Sequence, residues 1–251
     1  MQARRLPARA GAAWLQSAYA LYRRNPPLLT SITMLYLMVV IGFNFLPVIG
    51  AFIVPLLLPS LNLVIGNTCR LIASGAEPSR EALFENVRAQ RPQLLRLGAM
   101  QLGASVLLLL VSLLIEGGIV PMPDADKPDL EGFVGMLLRL AVLAVPLLLA
   151  FWFASLLTGW DRLPAGKAVF FSFVACWRNL RVFFVYVLCV GAVAVFLPGL
   201  LMALVMLVAP DLLGTISFVL RTLLIVVLTP ILMASVYISY QDVFHISEQV
   251  E

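Results

Sequence analysis

The residues of this chain that are able to do chemistry are few and scattered. Histidine occurs once, at His245, and cysteine three times, at Cys69, Cys176 and Cys189, with no CxxC spacing. One imidazole and three separated thiols supply neither a His-cluster metal site nor a disulfide framework, so no cofactor is expected. The cysteines read as small buried hydrophobes. No GxSxG, HExxH, Walker or GxGxxG pattern occurs. The turns and helix faces that those patterns build for acyl transfer, metal-assisted hydrolysis or phosphate binding therefore have no counterpart, and a non-enzymatic role is expected. His245 lies near Asp242 and Glu248 and reads as a tail residue rather than a general base. What remains is a small set of ionisable, polar and helix-breaking residues in or beside apolar stretches: Pro55, Pro59, Asn62, Glu116, Arg139, Pro146, Asp161, Arg221, Pro230 and Asp242.

Each of these has a structural and a functional reading. Glu116, Arg139 and Arg221 fall near one end of their stretches, where long side chains snorkel. They read as anchors or a structural pair, with a gate or solute contact as the alternative. Pro55 and Pro59 free backbone carbonyls, and Asn62 is placed to bond them or a neighbouring helix. A solute path along a discontinuous helix is the alternative. Asp161 and Asp242 sit at helix C-terminal ends, where the macrodipole disfavours an anion. Pairing with Arg24, Arg178 or Arg181 is expected to offset this, or else plain solvation. No carboxylate lies at the middle of an apolar stretch, which argues against proton-coupled transport.

The elements that hold these residues follow from composition. Of 251 residues, 62% are hydrophobic and 12% charged, and the mean hydropathy is +1.01. A soluble domain carries about 25% charged residues, and half that supply cannot cover a water-exposed surface. The chain reads as an all-α polytopic membrane protein. Crossing the hydrocarbon takes about 20 apolar residues, and six stretches qualify, at 28–46, 51–73, 94–115, 133–157, 182–208 and 213–240. The tight Leu46–Gly50 turn, the acidic Glu116–Glu131 loop and the turn around Pro210 join them into three hairpins. The first run reads as a retained span, with no cleavable leader expected.

Lys and Arg divide unevenly between the two ends: 14 fall on one side and three (Lys127, Arg139, Arg221) on the other. By the positive-inside rule both termini are expected in the cytoplasm. The arginines flank apolar spans, so anionic lipid headgroups are the expected partner, rather than nucleic acid. A membrane-protein partner or a second copy of this chain is also compatible.

A layout recurs over 12–73, 79–157 and 166–242 within a single membrane domain, 1–251: a short amphipathic segment, then two spans. Triplication and chance alignment of leucine-rich spans both account for it. Trp14, Ala18, Leu21 and Tyr22 share one face of the first segment and are expected to dip into the headgroup layer. Ser79 caps the second, whose apolar stripe is Leu83, Phe84 and Val87, with Glu85 and Arg88 spaced to pair. The third, Ala168 to Trp177, is too short to span and reads as interfacial or re-entrant.

The lead-in Trp14–Pro27 with Arg23-Arg24-Asn25-Pro26, the Pro47-Val48-Ile49-Gly50 turn and the closing Pro230…Tyr240-Gln241-Asp242 carry a resemblance. In these the chain resembles a family of uncharacterised proteobacterial multi-pass inner-membrane proteins, which implies an inner-membrane location. It is more loosely similar to the membrane domain attached to glycerophosphodiester phosphodiesterases. The phosphodiesterase domain has no room here, so that activity is not implied. Two functions stay open: a scaffold or assembly factor for envelope components, and a transporter or channel for a small solute or lipid.

Overall fold

The computed structural model describes residues 3–46, 49–115 and 130–244. Most of those residues are helical, with no strand among them. In chain order the helices are α1 (Ala10–Tyr22), α2 (Pro26–Asn44), α3 (Ile49–Ser74), α4 (Arg80–Leu83), α5 (Arg91–Ile115), α6 (Leu130–Phe151), α7 (Ala154–Gly159), α8 (Ala165–Arg178), α9 (Leu180–Gly191), α10 (Leu197–Val208), α11 (Leu213–Leu223) and α12 (Thr229–Phe244). A π-helical turn, Ala192–Phe196, joins α9 to α10, and another, Leu224–Leu228, joins α11 to α12. Six continuous or near-continuous helical stretches are long and apolar enough to cross a membrane: Pro26–Asn44, Ile49–Ser74, Arg91–Ile115, Val134–Gly159, Leu180–Val208 and Pro210–Phe244. They match the six expected stretches to within a few residues.

Burial is lopsided along the spans. The core collects at the arginine-rich end, around Trp14, Leu29, Leu63, Leu94, Phe153, Leu157, Val182 and Tyr240. At the far end the same helices are bare: Leu114, Leu207 and Val208 each keep more than 80% of their surface. Such surface is costly in water but neutral against lipid tails, so helices in a bilayer need no apolar core to stay dry. The arginine-rich end instead carries the polar bonds and close contacts that hold the helices together.

The lead-in segments depart from the sequence expectation. The stripe Trp14, Ala18 and Leu21 is buried as a face of α1, but against α9 and α12 rather than lipid headgroups. Trp14 is 1% exposed, and its ring meets Phe183 edge-on at 5.3 Å. Tyr19 stays on the outer face, with Arg23 over its ring. The second segment is helical for one turn only. Ser79 caps it through Ala82 N–H at 3.1 Å, but the helix ends at Leu83, and Asn86 turns left-handed at φ 59°. Helix α8 is amphipathic in an unexpected sense. Its small residues Ala168, Ser172, Ala175 and Cys176 face inwards, while Phe170 and Trp177 are exposed. Burial pushes the Cys176 thiol well above its ordinary value, which keeps it from thiolate chemistry.

The fourth span breaks where the sequence shows no breaker. Pro146 sits on the exposed face of α6, and the helix continues through it to Phe151. The interruption comes at Trp152–Phe153. There Ser172 of α8 inserts its hydroxyl into the helix ladder: Phe153 N–H donates to Ser172 Oγ at 3.0 Å, and Ser172 Oγ–H donates to the Leu149 carbonyl at 2.9 Å. An inserted side chain of this kind is a recognised cause of a kink. Ser172→Ala removes the bridge from a fully buried site and leaves both backbone groups without it. The expected cost is about 1–3 kcal/mol, read as a lower melting temperature in detergent; an unchanged melt would show that the helix recloses by itself.

Candidate functional site

Two features stand out: a polar network across the arginine-rich end, and a cavity immediately beneath it. The network starts at Asn67 on α3, which is fully buried. Its Nδ2 donates to the carbonyls of Leu83 at 2.9 Å and Glu85 at 3.0 Å, and its Oδ1 accepts from Trp160 Nε1–H at 2.8 Å. Both amide hydrogens are thereby used, and the carbonyls that stop α4 after one turn are satisfied. Arg70, one turn along α3, ion-pairs with Glu85 and lies 5.1 Å over the Trp160 ring. Trp160 meets Tyr240 edge-on at 5.1 Å, and Tyr240 O–H donates to Asp161. Trp14 Nε1–H donates to Asp242 Oδ2 at 2.9 Å. Asn179 accepts from Leu6 N–H at 2.9 Å and donates to the Arg4 carbonyl at 2.9 Å, which ties the irregular N-terminal segment to the α8–α9 junction.

Three ion-pair expectations are corrected by this network. Asp161 and Asp242 accept from a phenol and an indole, not from Arg24, Arg178 or Arg181. Those arginines are exposed, and Arg24 instead donates to the Ala73 carbonyl at 3.2 Å, at the electronegative end of α3. A half-buried carboxylate facing a close-packed interior meets flat aromatic donors there, while long guanidinium stems reach outwards. Glu85 pairs with Arg70 across the fold rather than with Arg88.

The cavity lies between α3, α5, α6, α7 and α12 and measures about 330 Å³. Most of its wall is apolar. Into it face Asn62, Gln101, Ser105, Ser155 and Tyr237, and none of the lining residues carries a formal charge. Ser105 and Leu148 are both exposed, so the cavity opens sideways between α5 and α6. Asn62 lies midway along α3, and Gln101 ten residues into α5. The site is therefore at membrane depth.

The remaining expected residues divide clearly. Pro59 removes the donor that the Pro55 carbonyl would otherwise receive, but Asn62 does not bond that carbonyl; it lines the cavity. The freed carbonyl faces Gly98 of α5, where a Cβ would stand only 2.8 Å away. Pro230 is buried just after the π turn Leu224–Leu228, and Thr229 Oγ1 donates to the Leu224 carbonyl at 3.3 Å. Arg139 and Arg221 are exposed and do not line the cavity, and Arg221 forms no ion pair with Asp211. Glu116 and His245 lie outside the described residues. Gln101, Ser105 and Ser155 were missed by sequence reasoning. The signal that could have found them is their depth: each is a hydrogen-bonding side chain well inside a mostly apolar span.

A curated relative now bears on identity. The chain is 31% identical to a probable inner membrane protein of Burkholderia thailandensis over 265 aligned positions, covering 99% of this chain and 96% of that protein. The chain belongs to this family of inner-membrane proteins. The expected multi-pass inner-membrane location accordingly holds for this family member. No protein-family model matches the chain, and no solved structure matches it.

Proposed function

We propose that this inner-membrane protein is non-enzymatic and handles a lipid or other small amphiphile, taking part of it from the bilayer into the bundle. The observation that supports this reading is the cavity at membrane depth: apolar walls, a few polar groups and a sideways opening towards lipid. A volume of about 330 Å³ is at the lower end for ligand pockets and suits a head and a short chain segment. In this reading the arginine-rich end faces the cytoplasm, as the distribution of Lys and Arg favours. The exposed guanidinium groups of Arg24, Arg178 and Arg181 then sit against anionic headgroups.

The test is to fill the cavity. Ala104 lines it and is half-buried; Ala104→Trp occupies that space. Wild-type protein stripped of surface lipid on a column is expected to retain a stoichiometric amphiphile, identified by mass spectrometry, which the variant loses. Equal lipid content in both proteins would contradict the proposal. A second reading, a scaffold or assembly factor for envelope components, draws on the hydrogen-bonded network that stiffens the arginine-rich end. A stoichiometric protein partner in mild-detergent purification would favour it.

A further inference from the structure

The cavity lining also bears on which amphiphiles fit, an inference that rests on the reading just given. Five polar side chains converge on one space, and two of them, Ser155 at 5% and Tyr237 at 8%, are more than nine-tenths buried. Among the described residues no hydrogen bond is seen for the side chains of Asn62, Gln101, Ser105, Ser155 or Tyr237, and none of them is among the fully enclosed unpaired polar atoms, Thr33 Oγ1 and Thr158 Oγ1, so they stay open to the cavity. This contrasts with the neighbouring network, where Asn67 uses every amide hydrogen a few ångströms further along α3. A hydrogen-bonding group left unpaired in an apolar setting is costly. Five hydrogen-bonding side chains open to one mostly apolar space suit an occupant with oxygens of its own.

Charge narrows the class. Asn62 and Gln101 offer carboxamides that donate and accept, and the three hydroxyls do the same. None of the lining residues is acidic or basic. The nearest cation along α3, Arg70, is already engaged by Glu85 and by the Trp160 ring. A phosphate or ammonium drawn into this cavity would lose its water and meet no counter-charge, which is the most expensive form of burial. We infer that the cavity is a binding site for an uncharged amphiphile whose head carries hydroxyl or carbonyl oxygens, of the diacylglycerol or isoprenoid-alcohol kind, and that it excludes phospholipid headgroups.

The experiment compares two probes that share their chains and differ in the head: a short-chain diacylglycerol and the corresponding phosphatidylglycerol. Each is titrated into the full-length protein in detergent while thermal unfolding is followed. The diacylglycerol is expected to raise the melting temperature by several degrees once it exceeds its dissociation constant about a hundredfold, and the phosphatidylglycerol to leave it unchanged. Ala104→Trp is expected to abolish the shift. Ser155→Ala, which removes a hydroxyl without adding volume, is expected to weaken the response roughly three- to tenfold and serves where the larger substitution does not fold. If both probes stabilise the wild type and both depend on Ser155, the restriction to uncharged heads is overturned while amphiphile handling stands. If neither probe stabilises the protein, or the shifts survive both substitutions, the inference and the reading beneath it fail together.

Discussion

Asn67→Leu should be among the most damaging single substitutions in this protein. The amide is fully buried and makes three hydrogen bonds, to Leu83, Glu85 and Trp160. Leucine matches its size but leaves an indole N–H and two carbonyls without partners. Unpaired groups of this kind cost about 1–3 kcal/mol each, less where water reaches them. Water can reach the 83–85 carbonyls, whose residues are half-buried or exposed. A net loss of about 2–4 kcal/mol follows. The effect should also be local: with Asn67 gone, the turn through Asn86 loses its anchor, and trypsin should cut at Arg80 and Arg88 well below the melting temperature. Retained melting temperature and retained protease resistance would show that Arg70–Glu85 alone holds the segment.

Gly98→Val acts by a different route. A Cβ at Gly98 would lie 2.6 Å from Leu56 Cα, 2.8 Å from the Pro55 carbonyl oxygen and 2.9 Å from that of Leu56. All three are backbone atoms of α3, so no side-chain rotation relieves the clash, and the two helices must separate. Overpacking of well-packed interiors typically costs about 1–3 kcal/mol, and a backbone-to-backbone contact belongs at or above the top of that range. Asn62 and Gln101 lie on these same two helices, so separating them also reshapes the cavity. Loss of the retained amphiphile should accompany the lower melting temperature. A variant as stable as wild type would mean that α3 and α5 slide apart at little cost.

These two residues mark the limit of what sequence reading supplied. The six spans follow from the length of the apolar runs, a one-dimensional property, and they were located closely. Ser79 was legible as a cap because the cap is local. Asn67, by contrast, looks like one more polar residue in α3, and its role depends on a turn 16–18 residues away. Gly98 is one glycine among 16, and only the crossing of α3 over α5 sets it apart. Ser172 interrupts a helix 19 residues earlier in the chain, whereas Pro146, the evident breaker, leaves its helix unbroken. For Asp161 and Asp242, charge alone points to arginine or to water. Packing supplied Tyr240 and Trp14 instead. Of the polar cavity residues only Asn62 stands out in the sequence, because convergence of side chains from five helices leaves no trace in spacing.

Central to the proposed function is that the arginine-rich end, with its polar network above the cavity, faces the cytoplasm of a membrane-embedded bundle. Single cysteines test this directly: Arg88→Cys at the arginine-rich end and Asp211→Cys at the other, each exposed, in a chain whose Cys69, Cys176 and Cys189 are replaced by alanine. In intact cells a membrane-impermeant maleimide should label position 211 and leave position 88 unlabelled until the inner membrane is permeabilised. Labelling of position 88 in intact cells, with position 211 protected, would contradict the account.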